Sequence, residues 1–233
     1  GASGVEQNLF KDLLKSKVMI TNAKGINSKP VAEFIMSQIL FFAKQFNACN
    51  QFKLDKKWTQ WELAKQIKQL SEYTLGIIGY GEIGKELSRF AKSFGMRVLA
   101  TRRLQKKIEH KKYADMLVPI THMDSILKDS DLIALTCPLT PLTKNMINKK
   151  SFQIMSQDSY LINTSRGDIV NEQDLIRAII KNQISGAALD VFSAEPLAKN
   201  SPLFDLDNVF LSPHISGNFS DYQRIMMQQF SMM

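Results

Sequence analysis

Three glycines fall close together in the segment Gly79-Tyr80-Gly81-Glu82-Ile83-Gly84. An apolar run, Thr74 to Ile78, precedes them. A helical pattern follows, Ile83 to Ser93, with Leu87, Phe90 and Ala91 on one face. In that strand–turn–helix setting each glycine has its own task. Gly79 permits the tight turn, Gly81 lets a pyrophosphate approach bare backbone, and Gly84 lets the helix pack close to the strand. The free N–H groups at the helix start, around Glu82 and Ile83, face the anion. The chemistry is the grip of a dinucleotide, and the motif has the context it needs.

Three later segments set polar residues at the ends of apolar strands. Arg166 follows Tyr160 to Asn163. Asp190 closes Ala187 to Asp190, with Glu195 in the loop beyond. His214 follows Val209 to Leu211. In open α/β sheets ligands bind at the carboxyl ends of the strands. Singly, Arg166 reads as a surface ion pair, Glu195 as a loop acid and His214 as a capping histidine. Together they bring Arg, Glu and His to three edges of one sheet, beside a nicotinamide site.

The second strand tells which dinucleotide to expect. It runs Arg97 to Thr101 into Arg102-Arg103, with no acid to hold ribose hydroxyls. Arginine pairs with a 2′-phosphate where an acid would repel it. NADP is therefore expected. The alternative is NAD held through Thr101, with Arg102 and Arg103 merely solvated.

These residues need a scaffold, and the pattern supplies one. Lys17 to Ile20 is a short strand candidate. Pro30 opens a long apolar helix from Val31 to about Phe46, with Ser28 as its cap. Its apolar residues cover most of its surface, so it is buried between layers or between subunits. Asn47 to Ser71, with Trp58 and Trp61, reads as a polar connector. From Tyr73 strands and helices alternate: a possible short strand at Met116 to Val118, a helix at Met123 to Leu127, a strand at Leu132 to Thr136, a helical turn at Ser151 to Met155, and a helix at Asn171 to Lys181. Such alternation predicts an α/β, Rossmann-like doubly wound parallel sheet with helices on both faces.

Composition narrows the class. An apolar content of 44% in 233 residues supports a normal core. The longest apolar stretch is interrupted by Ser37, Gln38 and Lys44 and is too short to cross a bilayer. The net charge of +8 admits anionic partners. Yet Lys106-Lys107 and Lys111-Lys112 lack interleaved aromatics, so no nucleic-acid groove is expected. Cys49 and Cys137 lie far apart without metal-ligand spacing, which predicts reduced thiols, a cytoplasmic protein and no metal. Cys137 reads as a structural or cofactor-lining thiol and not as a nucleophile; His110, in a charged loop, and His122, near a short helix, read as surface residues.

The order and wording of these motifs resemble the D-isomer-specific 2-hydroxyacid dehydrogenases, from about Ser3 to Gly217. Asn163-Thr164-Ser165-Arg166-Gly167 resembles the family's arginine motif. Asp190-Val191-Phe192 with Glu195-Pro196-Leu197 resembles its glutamate motif, and Ser212-Pro213-His214-Ile215-Ser216-Gly217 its histidine motif. Thr101-Arg102-Arg103 is similar to the NADP-preferring glyoxylate and hydroxypyruvate reductase branch. The resemblance implies that Arg166 binds the carboxylate and carbonyl oxygen of a 2-keto acid through its planar fork. It implies that His214 protonates that oxygen as hydride arrives from the nicotinamide. Glu195 would orient His214 and favour its charged form. Asp190 would accept from the nicotinamide carboxamide, with Thr164, Ser165 and Gly217 beside it. Cys137-Pro138 would flank the adenosine and Thr143 the cofactor's far side. Ser3-Gly4 would grip the substrate carboxylate, and Val31 would pack beside the nicotinamide ring.

The family builds a substrate domain from both ends of its chain. Residues 1–24 resemble a remnant of that domain, 25–211 the nucleotide-binding domain with its interdomain helix, and 212–233 the histidine loop and the start of a return helix. The sequence thus reads as truncated at both ends. The resemblance implies a homodimer. It also leaves two other readings open: a nucleotide-sensing corepressor-like protein, and an inert cofactor-binding fragment.

Overall fold

A computed structural model describes residues 11–18 and 25–231. Eight strands form one sheet: β1 (Thr74–Ile78), β2 (Arg97–Arg102), β3 (Glu109–Lys111), β4 (Ala114–Pro119), β5 (Leu132–Leu135), β6 (Tyr160–Asn163), β7 (Gly186–Leu189) and β8 (Val209–Leu211). Their order is β3-β4-β2-β1-β5-β6-β7-β8. All pairings are parallel except β3 with β4. The chain winds outward from β1 on one side, then returns to add β5 on the other. The crevice between β1 and β5 is where a doubly wound sheet receives its ligand.

The central strands are apolar throughout because helices cover both faces. Every residue of β5, β6 and β7 is buried. Each large aliphatic side chain fully removed from water contributes about 1.5–3 kcal/mol. Ile77 and Leu75 face one cluster with Leu87 and Ala91; Ile78, Ile133 and Leu135 face the other with Leu175 and Ile179.

Nine helices accompany the sheet among the described residues: α1 (Lys11–Lys15), α2 (Ser28–Ala43), α3 (Phe46–Asp55), α4 (Gln60–Ala64), α5 (Glu82–Ser93), α6 (Met123–Lys128), α7 (Lys149–Ile154), α8 (Glu172–Ile180) and α9 (Tyr222–Ser231). The long α2 buries Val31, Ala32, Ile35, Met36, Ile39 and Ala43, the stripe of a 3.6-residue period. It lies in the same apolar cluster as α5, and Phe42 stacks on Tyr160 with ring centroids 4.4 Å apart.

Several local expectations change. Helix α2 starts at Ser28 with Asn27 in the cap position, so Ser28 is its first residue and not its cap. The stretch read as a connector contains α3 and α4, neither of which buries a residue. His110, expected in a charged loop, sits in β3, and its ring nitrogen meets the Asp115 carbonyl oxygen. Lys17 and Val18 belong to no strand. The rest of that candidate, Met19 and Ile20, lies outside the described residues, as do Ser3 and Gly4.

Candidate active site

The phosphate turn shows why each glycine is there. Gly79 has φ +113°, and a Cβ on it would stand 2.7 Å from the Cys137 backbone nitrogen. A Cβ on Gly84 would stand 2.5 Å from the Gly79 carbonyl oxygen, so α5 lies directly against the turn. Around Gly81 there is open space within 4 Å, which is the room a pyrophosphate needs. The Glu82 carboxylate at the start of α5 is paired with Lys85 at 3.0 Å, and Ile83 packs against the core. Thr136 at the end of β5 donates its hydroxyl to the Gly79 carbonyl at 2.7 Å and ties the turn to the crevice.

Arg102, the last residue of β2, and Arg103 just after it are exposed, where they can meet an anion. Thr101 is different: it is fully buried and its Oγ1 lacks a protein partner. Its backbone carbonyl accepts from the Tyr80 N–H at 2.7 Å, which joins β2 to the glycine turn.

On the other side of the crevice, the Cys137 carbonyl accepts from the Ser165 hydroxyl. Burial pushes the Cys137 thiol up to about 11, so it is no nucleophile at neutral pH. After Pro138 the chain turns on Thr143, whose hydroxyl donates to the Pro138 carbonyl at 2.7 Å and accepts from the Thr140 N–H at 2.7 Å. Thr143 therefore shapes this loop. Thr164, at the end of β6, is nine-tenths buried and its hydroxyl has no protein partner. A buried polar atom in that state costs stability unless a ligand or water satisfies it. With the open space at Gly81, it makes the crevice fit a dinucleotide.

The residues with acid–base chemistry stand at the ends of β6, β7 and β8. Arg166 is half-buried and donates from Nη1 to the Ser165 carbonyl at 2.7 Å; Asn163 Nδ2 donates to the Arg166 carbonyl at 3.0 Å. His214 Nδ1 lies 2.7 Å from Glu195 Oε2. The other Glu195 oxygen accepts from the Phe192 N–H at 3.1 Å, which fixes the carboxylate's aim. Such a pair sets the ring's orientation and leaves Nε2 to meet a substrate. Beside it opens a cavity of about 560 Å³ lined by Phe192, Pro196, Leu197, Leu211 and Pro213.

Three residues make contacts that their sequence context did not predict. Asp190 was expected to accept from the nicotinamide carboxamide. Its carboxylate is buried and already accepts three protein donors, the Ser212 hydroxyl (2.6 Å) and Ile215 N–H (2.8 Å) on Oδ1 and the Ser216 N–H (2.9 Å) on Oδ2, which leaves one of its roughly four acceptor sites for that carboxamide. Gly217, expected at the cofactor, packs on Asn27; a Cβ there would stand 2.8 Å from Asn27 Nδ2. Gly167 was quoted in the arginine motif without a role of its own. A Cβ on it would overlap the carbonyl of Phe192 and the nitrogen of Ser193. Only glycine lets the Arg166 loop lie against the Glu195 loop. The signal for it was the glycine directly after a site arginine.

Among the described residues no helix is long and apolar enough to cross a membrane, and no group of His, Cys, Asp or Glu could hold a metal ion.

Comparison with known proteins places the chain. The family model described as D-isomer specific 2-hydroxyacid dehydrogenase, NAD binding domain, matches residues 36–216. The chain belongs to this family. A glyoxylate reductase of Korarchaeum cryptofilum is 32% identical over 215 residues, covering 91% of this chain and 64% of that protein. A hydroxypyruvate reductase of Thermotoga maritima is 32% identical over 218 residues, covering 91% of this chain and 69% of that one. Among solved structures, a D-isomer specific 2-hydroxyacid dehydrogenase from Xanthobacter autotrophicus Py2, in complex with NADPH and MES, superposes with a TM-score of 0.87 at 25% identity, covering 98% of this chain and 91% of that chain. This family member thus spans 64% of the length of the glyoxylate reductase it matches.

Proposed function

We propose that the protein reduces a small 2-keto acid of the glyoxylate or hydroxypyruvate type to the D-2-hydroxy acid. The observation that carries this reading is the Glu195–His214 pair at 2.7 Å, at the edge of the nucleotide crevice and on the same sheet edge as Arg166. The names of the relatives support the same substrate class.

When bound, the dinucleotide supplies hydride. The chain supplies everything else. Arg166 holds the keto acid's carboxylate and carbonyl oxygen through its planar, permanently charged fork. His214 presents Nε2 to the carbonyl oxygen and delivers a proton to it. Glu195 keeps the ring in place for that transfer. Thr164 and Ser165 line the pocket, and the residues from Gly79 to Gly84 cradle the phosphates.

We propose NADP as the preferred cofactor, with NAD second. Arg102 and Arg103 are exposed at the end of β2, where no carboxylate stands to repel a 2′-phosphate. In this reading residues 25–211 form the nucleotide domain, 212–233 the histidine loop and return helix, and 1–24, with Ser3-Gly4, a piece of the substrate domain. We also propose a homodimer through α3, α4 and the segment between them, where Leu54, Trp58 and Trp61 are exposed. Both cysteines among the described residues are free, in keeping with a cytoplasmic protein.

The decisive assay follows NADPH oxidation by absorbance, with the complete protein and a panel of 2-keto acids. Turnover of glyoxylate or hydroxypyruvate is expected; tight NADPH binding with no turnover on any of them refutes the enzyme reading and favours a sensing role. Arg102→Asp should reduce the NADPH-to-NADH preference by about tenfold, the worth of one charge-assisted contact. An unchanged ratio refutes the cofactor choice.

A further inference from the structure

We propose that Asp190 is the anchor of the loop that carries His214, and so a positioning residue for the proton donor. This rests on the reductase reading for its catalytic consequence, but its structural part stands alone.

His214 has φ +54°, a left-handed backbone that a bulky side chain adopts only when its surroundings hold it there. The loop around it is short of support of its own. Pro213, His214 and Ile215 are exposed, and the His214 N–H reaches back only to the Ser212 carbonyl. Besides the Ser212 N–H to the Leu189 carbonyl and the Glu195–His214 bond, what fixes it is one buried carboxylate. Ser212 lies two residues before His214, while Ile215 and Ser216 follow it; all three donate to Asp190. The loop is therefore clamped on both sides of the histidine. Asp190 is itself fixed, because its N–H donates to the Asn163 carbonyl in the arginine segment. Through this residue the ends of β6, β7 and β8 share one fastening point.

The chemistry explains why aspartate is required. Three donors converge on two oxygens. In asparagine one of those atoms becomes an NH2 group. With its oxygen toward Ile215 and Ser212, the amide sets a donor against the Ser216 N–H; turned over, it sets that donor against the Ile215 N–H, while the Ser212 hydroxyl can reverse and accept. No orientation satisfies all three, although the volume barely changes. The His214 loop should then leave its strained conformation and move Nδ1 away from Glu195.

The test uses the full chain carrying Asp190→Asn, with three readouts. The downfield proton resonance of the Nδ1–H bonded to Glu195 should disappear. Exchange of the Ile215 and Ser216 amide protons should accelerate by about tenfold or more as the loop opens locally. The value of kcat on the preferred keto acid should fall by about 100-fold, as expected for a misplaced catalytic group. If the Nδ1 proton and the slow amides persist, the anchor is refuted, whatever happens to NADPH affinity. Should Asp190→Asn fail to fold, Ser212→Ala removes one donor. Faster amide exchange at Ile215 and Ser216 is expected, and unchanged exchange overturns the proposal. If the native protein turns over no keto acid, the reductase reading fails. The resonance and exchange data still decide the anchor.

Discussion

Replacing Gly167 with alanine should disable the site without unfolding the sheet. The added Cβ would sit inside the Phe192 carbonyl and against the Ser193 nitrogen, far closer than the 3.0 Å that real Cβ atoms respect. Return to ordinary van der Waals contact moves one loop against the other by about 1.5 Å, because backbone cannot yield as a flexible side chain does. The two loops carry Arg166 and Glu195, so their separation is the variable that the substitution changes. A displacement of about 1 Å at a catalytic group costs about 100-fold in rate, equivalent to about 2.7 kcal/mol of transition-state stabilisation. Overpacking costs a further 1–3 kcal/mol of global stability as a rough figure, which a domain of this size tolerates. The assay is steady-state turnover of the preferred keto acid with NADPH, beside a thermal melt and a cofactor titration. The expected pattern is a fall in kcat/KM of about 100-fold, a modest drop in Tm and nearly normal NADPH affinity. Activity within about threefold of native would show that the loops part freely and that their contact does not set the geometry.

Two further outcomes follow from the buried thiol and from a depressed carboxylate. Cys137, with its pKa pushed to about 11 by burial, should resist iodoacetamide at neutral pH while exposed Cys49 reacts; equal labelling of both by mass spectrometry would contradict the burial argument. Burial acts to raise the pKa of Asp115. The Val98 N–H and the Lys92 ammonium at 2.9 Å together outweigh it, so the pKa is lowered on folding. A lowered folded value adds stability above the unfolded pKa of about 3.9 and loses it as pH falls further. Asp115→Asn should therefore cost about 0.5–1 kcal/mol in urea denaturation at neutral pH and almost nothing in strong acid, since both side chains are partly solvated. A cost independent of pH would refute the assignment.

The elements that read clearly in the sequence are those whose burial leaves a mark in residue type. Tyr160 to Asn163 coincides with β6, which is covered on both faces and so must be apolar, and Val209 to Leu211 coincides with β8, an edge strand whose three apolar residues are half-buried. Edge strand β3, Glu109-His110-Lys111, has no apolar residue and is held by pairing with β4, so nothing in its composition announces it. Helices α3 and α4 were hidden for the same reason: neither buries a side chain. At the site, residue types identified Arg166, Glu195 and His214 as candidates, because charged groups at strand ends are conspicuous. The work of Asp190 and Gly167 was not legible. Each depends on which backbone folds back against it, and that is a property of the assembled sheet ends.

The sheet order also governs how the molecule comes into being. The Thr74 N–H, at the head of β1, donates to an Asp131 carboxylate oxygen 57 residues further on, at 2.7 Å. Beside it β1 meets β5, after the chain has already gone out through β2, β3 and β4 and come back. Pairings of such long sequence separation carry a large loop-closure cost and form late and slowly. The glycine turn can form early, from neighbours in sequence, but its opposite wall, Thr136 and Cys137, arrives only when that seam closes. Nucleotide affinity is thus acquired in one late step of folding, and a newly synthesised chain cannot capture its cofactor until the two halves of the sheet have joined.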